Sequence, residues 1–136
     1  MALLISASYQ RKGGTLNFSA IIRQTGEVSI VDLSGQLTSI ASGALRDTIS
    51  GLMKQGRRKI VLNVGALLYL DSSGVGELVN CYMAVIKQGG EMKVVGLTPK
   101  VEEILKITQL YRVFQEFQDE EAALRSFPET RKKESA

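Results

Sequence analysis

An apolar run stops at Asp71-Ser72-Ser73-Gly74-Val75-Gly76, where an acid and two hydroxyls meet two glycines. Beyond it Val75, Leu78, Val79, Tyr82 and Ile86 recur at helical spacing, so the polar residues stand where a strand turns into a helix. Three kinds of chemistry suit that place. In the first, Asp71 or Ser72 accepts a hydrogen bond from the first free amides of the helix and simply caps it. Gly74 and Gly76 each cost up to ~1 kcal/mol against alanine in a helical turn, which asks for close approach of a neighbouring element or a partner in return. In the second, a serine acts as nucleophile, but no histidine exists and no lysine lies nearby in sequence to take its proton. In the third, a serine is modified by another protein. A phosphoryl group at a helix N-terminus meets free amides and the positive end of the dipole, so its own chain tolerates it. The same group, with a charge of roughly −2, spoils a surface built to dock onto a partner.

The rest of the composition removes most other chemistries. The chain has 136 residues, 44% hydrophobic and 23% charged, enough for one compact core. The absence of histidine excludes Ser-His and Cys-His catalysis and His-ligated metals, and the single Cys81 excludes an intramolecular disulfide and cysteine-rich zinc sites. Cys81 reads as a small apolar helix residue in a reducing compartment. No phosphate-binding loop is present, Gly74-x-Gly76 lacks the rest of a dinucleotide fingerprint, and neither a cofactor nor a metal is expected. Glu102 and Glu103 sit early in a helix, where solvated acids complement the dipole. The net charge of +3 gathers partly at the ends, in Arg11-Lys12 and Arg131-Lys132-Lys133, and with few aromatics and no tryptophan it does not describe a nucleic-acid groove. No run approaches membrane-span length and "MALLISASYQRK" is no signal peptide, so a cytoplasmic protein without membrane insertion is expected.

The elements that must position the Asp-Ser-Ser-Gly turn follow from periodicity. Residues 1–15 read as a flexible lead-in with room for a short extra strand. Leu16–Gln24 and Val28–Leu33 read as strands about a Thr25-Gly26-Glu27 turn. Gly35 closes the second, and Thr38 and Ser39 serve as N-cap candidates for a helix carrying Ile40, Ala44, Leu45, Ile49, Leu52 and Met53. "KIVLNVGAL" is a short buried strand, "DSSGVGELVNCYMAVIKQGG" the next helix, and "EMKVVGL" another strand. Thr98-Pro99 opens a helix over Lys100–Thr108 that buries Val101, Ile104, Leu105 and Ile107. "RVFQEF" is a last short strand, and Asp119-Glu120-Glu121 starts a final helix. The order predicts an α/β fold: a mixed, largely parallel sheet of about five strands covered by about four helices. One domain spans residues 16–127, and residues 128–136 form a disordered basic tail.

Several separated blocks now form a recognisable set: "VSIVDLSGQLT", "KIVLNVGALLYLDSSGVGELV", "GGEMKVVGLTPKVEEILKITQLYRVF" and "DEEAAL". In this order and spacing, over Leu16–Phe127, they resemble the STAS domain of the anti-sigma factor antagonist family. The resemblance implies a bacterial, non-enzymatic regulator of transcription that works by partner switching. An anti-sigma factor that is also a serine kinase phosphorylates the serine directly after the Asp, here Ser72. The unphosphorylated protein binds that anti-sigma factor, the phosphoprotein does not, and a PP2C-type phosphatase resets it. By the same resemblance Asp71 shapes the turn, and Ser73, Gly74, Val75 and Gly76 belong to the docking surface with Thr38 and Ser39. Many members carry Gly-x-Leu-Asp where this chain has Gly35-Gln36-Leu37-Thr38; Thr38 can cap but brings no charge. The resemblance also admits a constitutive STAS subunit of a larger assembly, stressosome-like or a phospholipid-transport ATPase complex; an enzyme using Ser72 is a further alternative, from the residues alone.

Overall fold

The computed structural model describes residues 3–10, 17–39, 41, 43–107 and 115–127; Ile40 and the tail expected over 128–136 lie outside these. Strand β1 (Leu3–Gln10) falls in the stretch expected as a flexible lead-in and pairs antiparallel with β2 (Asn17–Thr25). A tight turn through Gly26, at φ 60°, where glycine is at ease, returns the chain antiparallel as β3 (Val28–Leu37). From there the pattern changes. Helix α1 (Ala44–Lys54) crosses to β4 (Lys59–Leu70), α2 (Ser72–Lys87) to β5 (Glu91–Val95), and α3 (Pro99–Ile107) precedes β6 (Gln115–Phe117). The β3–β4, β4–β5 and β5–β6 pairs are all parallel, and α4 (Glu120–Ser126) follows. The sheet therefore has six strands in sequential order, one more than expected.

The two central strands read as apolar runs because both of their faces are covered. Alternation sends Val31, Leu33, Ile60, Leu62, Met92 and Val94 to one side, where they meet Leu45, Ile49 and Leu52 of α1, Leu78 and Val85 of α2, and Val101 and Leu105 of α3. Val28, Ile30, Val61 and Val95 point the other way, onto Ala123 and Phe127 at α4. That second face is also tied electrostatically. The Arg23 guanidinium on β2 donates to both oxygens of Asp32 on β3 and both of Glu120 on α4, and Asn63 on β4 donates to Asp32. These carboxylates hold the Arg23 pKa above even its ordinary high value. Lys93, buried on the same face and 3.6 Å from Glu91, sets its Nζ 4.8 Å from the Phe127 ring centre and 5.4 Å from that of Phe117.

Four expectations need correction. β3 does not close at Gly35. That residue takes φ 89° inside a register shift, and the strand resumes to bury Leu37 completely. β4 likewise runs past "KIVLNVGAL" to Leu70, its register shifting where Asn63 Oδ1 accepts the Gly65 amide. The buried stripe of α2 is Val75, Leu78, Cys81 and Val85; Val79 and Tyr82 are only half-buried and Ile86 is exposed. Ile107, expected inside, is 74% exposed at the last residue of α3. No described helix is long and apolar enough to cross a membrane.

Candidate functional site

The site begins with two parallel strands that end together. Leu37 of β3 pairs with Leu70 of β4, so the chain leaves the sheet at residues 38 and 71 side by side and in the same direction. This is the carboxyl edge of the parallel part of the sheet, where α/β proteins gather their binding residues. Asp71 is extended (φ −101°, ψ −171°) and caps α2: its Oδ1 accepts the Gly74 amide at 2.9 Å. Its own amide donates to the Leu37 carbonyl oxygen at 3.4 Å. The choice between Asp71 and Ser72 as cap therefore falls to Asp71, and the exposed Ser72 hydroxyl at the first helical position is spare. Asp71 and Gly74 together use two of the four amides that a helix start leaves without an intrahelical acceptor. Those of Ser72 and Ser73 remain, on exposed residues, and the neighbouring Asp71 carboxylate is turned to the Gly74 amide.

The glycines separate into two kinds. A Cβ on Gly74 would lie 2.1 Å from the Leu37 carbonyl oxygen and 3.1 Å from the Leu70 Cβ, so its close approach is to its own sheet. A Cβ on Gly76 would meet nothing within 4 Å. The exposed tip thus consists of Ser39, Ser72 and Ser73, with Gly76 half-buried beside them. Thr38 is only 7% exposed and Val75 4%, so neither presents its side chain to a partner; Val75 is a core residue. Nor do Thr38 and Ser39 cap α1. The Thr38 carbonyl accepts the Ala41 amide in a turn of its own, and the residue before the helix is Gly43, at φ 100° with no side chain to offer.

The residue that sequence reasoning missed is Glu77. It is only 6% exposed on α2, and its Oε2 accepts the Gly43 amide at 2.9 Å and the Arg46 amide at 3.0 Å, giving α1 the cap it otherwise lacks. The sequence offers only a faint signal, an acid between Val75 and Leu78 on the apolar face of a helix. Its neighbour Cys81 is no nucleophile: burial, and then the Glu77 charge, push the thiol up to about 12. A pocket between the sheet and α2 and α3 is lined by apolar side chains, among them Leu62, Val94 and Leu105. Among the described residues no group of acids and cysteine could hold a metal ion.

The comparisons agree with this architecture. Residues 19–123 match the STAS domain, and the chain belongs to that family. Relatives it resembles within the family include anti-sigma factor antagonists. An anti-sigma F factor antagonist from Paenibacillus polymyxa is 32% identical over 98 residues, 71% of this chain and 84% of that protein. An anti-sigma-B factor antagonist from Bacillus subtilis is 26% identical over 95 residues, 70% of this chain and 86% of that protein. Among solved structures, an anti-sigma factor antagonist from Mycobacterium paratuberculosis shares the fold at a TM-score of 0.71 and 23% identity, over 80% of this chain and 92% of that one.

Proposed function

We propose that this chain is a partner-switching anti-sigma factor antagonist and that Ser72 is its phosphoacceptor. Unphosphorylated, it binds an anti-sigma factor with serine kinase activity through the tip that holds Ser39, Ser72, Ser73 and Gly76. Phosphorylated, it lets go, and a PP2C-type phosphatase restores it. One observation carries the reading: Asp71 takes the capping bond, so Ser72 is exposed at the helix start with its hydroxyl uncommitted among the described residues. A phosphate there meets the amides of Ser72 and Ser73 and the positive end of a 16-residue helix, so the fold tolerates it while the docking surface gains about two negative charges. The names of the relatives supply the kind of partner. Catalysis by Ser72 is disfavoured because, among the described residues, no side chain is hydrogen-bonded to its hydroxyl to take the proton.

The test is a pull-down from native lysate with wild type, Ser72→Ala and Ser72→Glu as baits, joined to intact-mass and fragment analysis of the endogenous protein. The expected result is an ATPase-domain kinase retained by wild type and Ser72→Ala, lost by Ser72→Glu, with one phosphate mapped to Ser72 rather than Ser73. Identical retention by all three baits, with no phosphate, would leave Ser72 as an exposed residue beside a cap and point to a constitutive subunit.

A further inference from the structure

Helix α1 begins where a helix should begin badly. Its N-cap is a glycine in the left-handed region with no side chain to accept the free amides. The acceptor arrives from 34 residues downstream, where Glu77 bonds both Gly43 and Arg46, the N-cap and N3 amides that a local capping box would normally satisfy. A buried carboxylate is costly unless hydrogen-bonded, and two amides at a positive helix end are a sufficient partner. Glu77 lies five residues after Ser72 on the same helix, and the chain on the other side of its bonds is the segment from Thr38 to Gly43 that leaves the sheet beside Asp71.

We infer that Glu77 is a positioning residue: its carboxylate locks the β3–α1 segment to the helix that bears Ser72, so that a partner meets one rigid surface built from both. The Asp71 amide ties the start of α2 to Leu37, and the two Glu77 bonds tie the start of α1 to α2. The inference rests on the phosphoacceptor reading only for its effect on partner binding; the lock itself is a property of this chain.

The experiment is native-state amide hydrogen exchange on the full chain, comparing wild type, Glu77→Ala and Glu77→Gln. In Glu77→Ala the Gly43 and Arg46 amides should exchange at least about tenfold faster, because each loses a buried acceptor, while amides at the centre of β4 keep their rates. Glu77→Gln should recover much of the protection, since a carboxamide oxygen still accepts. Unchanged Gly43 and Arg46 rates in Glu77→Ala would overturn the lock. So would a uniform rise at all amides without recovery in Glu77→Gln, which marks a residue needed only for global stability. If Glu77→Ala does not fold, Glu77→Asp, one methylene too short to reach both amides, takes its place under the same criteria. The second arm puts these changes in the Ser72→Ala background and measures affinity for the purified protein that Ser72→Ala retains and Ser72→Glu releases. Affinity should fall about tenfold with Glu77→Ala and return with Glu77→Gln, in step with the amides. Wild-type affinity despite released amides overturns the functional half. If Ser72→Glu releases nothing, the switch reading fails, and the exchange data still decide the lock.

Discussion

Gly74 and Gly76 look alike in sequence and differ in consequence. Placing a methyl group at Gly74 drives it into the Leu37 carbonyl oxygen, backbone against backbone, with Leu70 behind. Gly74→Ala should therefore cost about 1–3 kcal/mol or more in denaturant unfolding. Gly76→Ala has open space around it and should stabilise by up to ~1 kcal/mol, yet it should weaken partner binding if the partner's backbone approaches there. Measuring stability and binding on the same two variants separates a structural glycine from a docking one. Asp71→Ala removes the bond to the Gly74 amide and should cost about 0.5–2 kcal/mol. At Cys81 the sign is set by a thiol raised from 9.0 to about 12 in the fold. Its contribution is complete below pH 9 and is lost as pH climbs toward 12, because the unfolded thiol ionises first. Wild type should therefore lose stability faster than Cys81→Ala over that interval, and native Cys81 should resist alkylation until the chain opens. At this scale the Asp71-Ser72-Ser73-Gly74 turn was legible, because acid, hydroxyls and glycines are local signals. Glu77 was not, because the amides it serves are contributed by a distant helix and its own neighbours in sequence show no need for it.

Among the elements, α4 is the one whose attachment can be tested most directly. It is short, and apart from Ala123, Phe127 and the half-buried Leu124 it is held by Glu120 against Arg23, which also grips Asp32. The groups are about one-third exposed, so solvent screens them, but the guanidinium is shared by two carboxylates. Arg23→Ala should cost about 1–2 kcal/mol, with the fastest-exchanging new amides in α4, and the loss should shrink at high salt. Strand and helix identities followed from period and caps: Thr98 does accept the Val101 amide at the start of α3, and Asp119 the Ala122 amide at the start of α4. The ends of β3 and β4 did not follow. Gly35 reads as a stop and β4 as ending at Leu67, whereas both strands continue through register shifts to Leu37 and Leu70. The start of α1 failed for a related reason. Thr38 and Ser39 are good caps by type, but β3 runs on through Leu37, and the helix can begin only after Gly43.

Across the whole molecule, the sheet is antiparallel from β1 to β3 and parallel from β3 to β6. The change happens at β3, whose carboxyl end is one wall of the site. The sequence order of strands and helices was enough to predict a mixed α/β sheet; the sixth strand was not separable from a lead-in because its run lacks clear periodicity. A protein arranged this way should separate folding from recognition. Ser72→Glu should unfold within about 2–4 °C of wild type, since an acid at the first helical position suits the dipole, while the partner of Ser72→Ala is lost. A thermal scan beside a binding titration checks both halves at once. The seat under Ser72 gives that separation its direction. Because the Gly74 backbone already rests on the Leu37 carbonyl, the turn has no room to recede, and any group added to the serine can only project outward. If Ser72 is the phosphoacceptor proposed above, the modified chain should keep its shape, and the consequence of the added charge should fall on the protein that tries to land there.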